Sequence, residues 1–176
     1  MRRKRFFVWL CACLFLVPSP ARAAGVPAGF QRLVMTNLQA SIAYPAAWRP
    51  VWSKGREFLY GPVARNFTTN VNIYFVTHPQ ASSLADFGSA IKAADTKAGA
   101  SIGRTYPLKV GGIPALSIRG RLSQTLHGKV VQDRFTIAAF LVRGQGWQIT
   151  LSASPSVYWA NMKLFRKMLR TFALTA

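Results

Sequence analysis

Acidic residues are scarce in this chain: its 176 residues include 23 Lys plus Arg but only four Asp plus Glu, a formal net charge of +19. Such a surface cannot be laced with ion pairs, and it attracts anything anionic. Cysteine is scarcer still. Cys11 and Cys13 are the only two, so the body of the chain can build no disulfide and no cysteine-based metal site. There are two histidines, His78 and His127, each at a strand end or turn. No GxSxG elbow, HExxH helix, glycine-rich phosphate loop or closely spaced carboxylate pair occurs. Catalysis needs a constellation of groups, and scattered single residues do not make one. The sequence therefore predicts a non-enzymatic protein with no catalytic residue, no metal and no cofactor. Nor does any apolar run reach the ~20 residues needed to span a bilayer.

What is present begins with MRRKRFFVWLCACLFLVPSPARAAG. A cationic start (Arg2, Arg3, Lys4, Arg5), an apolar run from Phe6 to Val17, breaks at Pro18 and Pro20, and the small-x-small step Ala21-Arg22-Ala23 read as a bacterial secretory signal peptide, residues 1–23, cut after Ala23. Leu10-Cys11-Ala12-Cys13 loosely resembles a lipoprotein box, but cleavage there would halve the apolar run. A twin-arginine signal is disfavoured by the spacing of Arg5 and Phe6. Cleavage after Ala23 removes both cysteines and five of the 23 basic residues, so 18 minus 4 leaves +14 on the mature chain. Residues 24–29 form a flexible lead-in, and 30–176 suffice for one domain with its own core. Export turns the anionic partner away from nucleic acid and towards lipid headgroups, lipopolysaccharide, wall polymers or an acidic envelope protein, in a periplasmic or secreted setting.

Periodicity gives the order of elements. QRLVM (31–35) and LQASIAY (38–44) read as a strand pair, ended at Tyr44 by the corner YPAAWRP, where Trp48 packs back on the sheet. REFLYG (56–61) and FTTNVNIYFVT (67–77) are strands, the second with Val71, Ile73 and Phe75 on one face. Ser83 caps a helix over about 84–98, with Asp86 in the capping box and Leu84, Phe87, Ile91 and Ala94 as its apolar stripe. Strands follow at 105–110, 114–122, 129–144 and 147–154, the last two joined by Gly144-Gln145-Gly146. A final helix is capped by Ser154, has Pro155 in its first turn, and buries Val157, Ala160, Leu164, Phe165, Met168 and Phe172. Strands, helix, antiparallel strands, helix is the order of an α+β layered domain.

The acids have structural uses available: an exposed edge for Glu57, a cap for Asp86, a helix surface for Asp95, a salt bridge for Asp133. The basic residues form two patches. Lys163, Arg166, Lys167 and Arg170 recur at three- and four-residue steps on the outer face of the last helix. Arg119 and Arg121 share a strand face, which Arg134 or Lys129 of the next strand can join. A charge run on a helix is ordinarily its solvated face, but such a face mixes signs and this one does not. Tyr158 and Trp159 cannot both face inward with Val157. These features predict a protein that docks through basic surface to an anionic envelope protein or membrane surface. Two other readings are a small-ligand carrier or hydrolase with a pocket between sheet and helix near Tyr44 and Trp48, and an exported nucleic-acid binder.

The run YPAAWRP, the strand REFLYG, the Asn-rich strand FTTNVNIYFVT, then SSLADFGSAIKAA, and at the far end GQGWQITLSASPSVYW leading into FRKMLRTF, together resemble the PsbP family and the related DcrB-like periplasmic proteins of bacteria. The likeness runs from about Phe30 to Phe172. It implies an α/β/α sandwich with a central antiparallel sheet flanked by helices, and a binding or assembly role rather than catalysis. The signal peptide is that of an exported protein, and nothing in the sequence ties it to a photosynthetic membrane. It also argues against the intracellular chaperone role of some bacterial relatives.

Overall fold

The computed structural model describes residues 25–77, 79–126 and 128–175. The predicted signal peptide and both histidines lie outside the described residues. Period-two alternation produces β1 (Phe30–Met35), β2 (Ala40–Pro45), β3 (Arg49–Ser53), β4 (Arg56–Ala64), β5 (Phe67–Thr77), β6 (Ser101–Val110), β7 (Ile113–Leu126), β8 (Lys129–Val142), β9 (Gln145–Ala153) and β10 (Ala173–Leu174). Two α-helices, α1 (Leu84–Lys97) and α2 (Tyr158–Thr171), interrupt them. Seven strands form an antiparallel sheet in the order β3-β4-β5-β9-β8-β7-β6, and β1-β2-β10 form a second, smaller one.

Each face of the large sheet has its own core. On one side Phe87 and Ile91 of α1 pack with Ile118, Phe135, Ile137 and Ala139. On the other, Tyr158, Met162, Phe165, Met168 and Leu169 of α2 meet Leu59, Val71, Ile73, Phe140, Trp147, Ile149 and Leu151, with Ile42 and Tyr44 of β2 closing the layer. This is the expected α+β sandwich, with helices on both faces and the small sheet added on the α2 side. Phe140, Trp147 and Phe172 form an aromatic cluster at its centre, with ring centroids 5.3–5.9 Å apart.

The corner after β2 behaves as its prolines dictate. Trp48 is buried against Gly61, where a Cβ would come within 2.6 Å of the indole, so the tryptophan anchors the corner. The strand that follows, β3, was not expected because Pro50 lies within it. It is an edge strand, paired only with β4, and an edge tolerates the missing donor.

Both helices bury most of the expected stripe, Phe87 and Ile91 in α1 and Phe165, Met168 and Phe172 at α2, but each departs from it at one alanine. Ser83 caps α1 by accepting the Asp86 N–H at 3.1 Å, as predicted, but Ala94 is exposed and Asp95 turns partly towards the sheet. The second helix begins at Tyr158, not just after Ser154. Residues 154–157 instead make a turn closed by the Val157 N–H to the Ser154 carbonyl at 3.2 Å. The phase is set by Tyr158, which is buried with its hydroxyl bonded to Thr136, so Ala160 faces solvent. At its far end α2 is clamped to the β6–β7 turn. Gly111 donates its N–H to the Leu169 carbonyl at 2.8 Å, and a Cβ at Gly111 would lie 2.0 Å from the Phe172 oxygen. Its φ of +55° also suits glycine. The helix therefore runs along the β6–β7 hairpin, from the turn at its C-terminal end to Arg119 and Arg121 near its start.

Candidate functional site

A cleft of about 380 Å³ opens where the start of α2 meets strands β6, β7 and β8. Arg104, Arg119, Arg121 and Arg134 line it, together with Tyr106, Tyr158 and Trp159, and no carboxylate is among its lining residues. Three strands bring the four guanidinium groups together. Arg119 and Arg121 alternate onto the α2 face because Ile118 and Leu122 pack on the α1 side. Gly120 between them faces α1, and it must be glycine: a Cβ there would meet the Phe135 ring at 2.3 Å. Arg121 and Arg134 are direct cross-strand partners in the β7–β8 register. Like charges directly opposite destabilise a sheet, so this pair is not explained by folding.

Arg104 arrives by a β-bulge. The β6–β7 register runs from Ile102 opposite Gly120 to Thr105 opposite Ile118, so Gly103 and Arg104 together face Arg119. Ile102 packs in the α1 core, and strict alternation would send Arg104 there too; the extra residue turns Arg104, Tyr106 and Leu108 to the α2 face. Arg119 is held most firmly. Its guanidinium carbon lies 4.9 Å from the Tyr106 ring centre and 5.8 Å from that of Trp159, and its Nε is buried without a partner. Stacking of this kind contributes ~0.5–2 kcal/mol and fixes the direction of the fork.

The second predicted patch is exposed as expected: Lys163, Arg166, Lys167 and Arg170 all face solvent. Trp159, 54% exposed, stands four residues before Lys163 on the same side of α2. It joins the patches into one basic track from the cleft along the helix, about 16 Å at 1.5 Å per residue. Of the sequence-predicted residues, Arg119, Arg121 and Arg134 are brought together in the cleft, while the four helix residues form its extension. Lys129 is exposed and does not line the cleft. Arg104 was missed because its strand was read as starting at Thr105; Gly103 within a strand was the available sign of a bulge.

Three acids depart from their expected uses. Glu57 is buried on β4 rather than at an exposed edge, and burial raises its pKa. Asp95 is half-buried, its Oδ2 unpartnered and its pKa likewise raised by burial. Among the described residues Asp133 forms no salt bridge. It is 4% exposed with Oδ1 unpartnered, and burial pushes its pKa to about 6 against the lowering effect of the Leu122 and Asp133 backbone N–H groups. Asp95 and Asp133 line a smaller cleft of about 190 Å³ on the α1 face, with Asn72, Tyr74, Gln148 and Thr150. Arg56 also lines it, stacked 4.2 Å over the Tyr74 ring. Among the described residues no three acid, His or Cys side chains gather as a metal site would require. Tyr44 and Trp48, where a ligand pocket was an alternative, are core residues and line neither cleft.

The fold is a PsbP-like α+β sandwich, and in this chain an arginine-lined cleft opens at the start of the last helix. The sequence matches no protein-family model and no curated protein. Solved structures share its fold. The cyanobacterial PsbP protein CyanoP of Synechocystis sp. PCC 6803 superposes with a TM-score of 0.56 at 18% identity, over 87% of this chain and 97% of that one. LpqN of Mycobacterium tuberculosis, described as involved in cell envelope biogenesis, gives 0.52 at 12% identity over 84% and 86%. A Bacteroides thetaiotaomicron protein gives 0.56 at 13% identity over 84% of this chain; the match spans about half of that longer protein, 49%. At these identities the likeness is one of fold.

Proposed function

We propose that this chain is an exported, non-enzymatic binding protein that docks to an anionic membrane surface of the cell envelope through the arginine cleft and the α2 stripe. The observation that carries this reading is the convergence of four guanidinium groups on one cleft without a carboxylate, including a cross-strand arginine pair. Trp159 on the exposed track adds an amphipathic ring of the kind that settles at headgroup level. No helix among the described residues is long and apolar enough to cross a membrane. The described role of LpqN in the envelope and the signal-like N-terminal sequence agree with this setting.

The test is flotation with zwitterionic vesicles and with vesicles containing anionic lipid, over a salt series. Binding is expected only to the anionic vesicles and is lost between about 0.05 and 0.5 M salt as screening shortens. Changing Lys163, Arg166, Lys167 and Arg170 together to Glu is expected to weaken it at least roughly tenfold, since each cation near an anionic surface contributes ~1 kcal/mol. Absence of low-salt binding, or indifference to the charge reversal, would sink the reading. Capture of an acidic envelope protein with no affinity for vesicles would replace the membrane by that protein.

A further inference from the structure

We propose that the arginine cleft recognises a phosphomonoester, the headgroup of a membrane lipid whose phosphate is terminal, rather than negative charge in general. This rests on the docking reading above and gives the cleft and the helix different tasks.

Geometry separates the two. The helix stripe consists of long, exposed side chains, which sense surface potential and cannot distinguish one anion from another. The cleft is built. Arg104 comes from β6, Arg119 and Arg121 from β7 and Arg134 from β8, so planar forks approach from three strands. Arginine forks match phosphate oxygens two at a time, and they stay charged at any physiological pH. A phosphomonoester offers three terminal oxygens and a charge of about −1.5 to −2 at neutral pH. A diester or a carboxylate offers two such oxygens and one charge, and leaves part of the set unanswered. An anion between the opposed Arg121 and Arg134 would offset their repulsion, and two positive charges are best met by a dianion.

Two more features favour this occupant. The first two residues of α2, Tyr158 and Trp159, line the cleft, so the amide end of a 14-residue helix adds partial positive charge to the guanidinium groups already there. Tyr106 and Trp159, 43% and 54% exposed, rim the opening and can rest on the glycerol and upper acyl region of a lipid while its phosphate reaches inward.

Flotation would compare phosphatidylcholine vesicles doped with phosphatidate, a monoester, or with phosphatidylglycerol, a diester, adjusted to equal surface potential. The wild type is expected to bind the phosphatidate vesicles about tenfold more tightly, the gain from an additional charge-assisted fork contact. Replacing Arg121 and Arg134 together by Lys keeps the charge but removes two of the four forks, the opposed pair. That variant is expected to bind phosphatidate vesicles no more tightly than phosphatidylglycerol vesicles, and an unchanged circular dichroism spectrum and melting midpoint report that it is folded. Glycerol 3-phosphate should compete weakly, lacking the bilayer. Equal binding of the two vesicles by the wild type overturns the monoester assignment and leaves the docking reading standing. Failure to bind either vesicle overturns both. Tight binding of glycerol 3-phosphate without vesicle binding overturns the lipid source. An unchanged preference in the lysine variant overturns the role of the forks.

Discussion

Asp133 is the residue least at ease in its surroundings, a buried carboxyl with one oxygen unpartnered in a chain with little other negative charge. Its pKa rises from an ordinary 3.8 to about 6 on folding. The folded protein therefore holds this proton more tightly than the unfolded chain, so the ionisation penalty is absent below 3.8 and grows until about 6. Its size is on the order of 1 to 3 kcal/mol. Glu57 and Asp95 shift in the same direction, while Asp86, lowered by its bonds to Ser82 and Ser83, works the other way below the usual carboxylate range. Acidification can add at most six side-chain charges, four by neutralising the acids and two at the histidines, so extra repulsion is limited. Denaturant unfolding is expected to find the protein more stable near pH 4.5 than near pH 7.5. Asp133→Asn should remove most of that difference by gaining stability at the higher pH. The sequence could not reveal this. It showed an aspartate beside Arg134 and suggested an ion pair, but alternation along β8 sends neighbours to opposite faces, so adjacency in sequence became separation across the sheet.

At the scale of elements, the strands were legible wherever one face is buried, because burial imposes the period of two; the faces of β5 and β9 followed directly. Both helices were recognised with most of their buried stripe, but Ala94 and Ala160 face solvent and the buried Tyr158 was not placed. Helix phase depends on which residue is pinned by tertiary contact, and the Tyr158 to Thr136 bond spans 22 residues. Arg104 was hidden for a similar reason, since a bulge changes parity without changing composition. The clamp between the β6–β7 turn and the end of α2 gives the element-scale prediction. Gly111→Ala must place a methyl against the Phe172 carbonyl at positive φ, so a loss of at least ~2 kcal/mol is expected by thermal or denaturant unfolding. Gly112→Ala, at an open position with φ +87, carries only the backbone cost and should lose less.

For the molecule as a whole, charge and hydrophobic pattern spoke about different things. The order of strands and helices led to the sandwich that the solved structures share. Net charge led only to an expectation of anionic partners, because a count of arginines carries no position. Convergence of Arg104, Arg119, Arg121 and Arg134 depends on strand register, which is set over the whole sheet. The opposed arginines of β7 and β8 also make the solvent part of the protein's stability. An oxyanion that bridges the two forks offsets their repulsion and so acts as a counterweight to unfolding by mass action. Melting temperature should then climb with millimolar phosphate and stay flat with chloride at equal ionic strength. For this fold, the choice of buffer is an experimental variable in its own right.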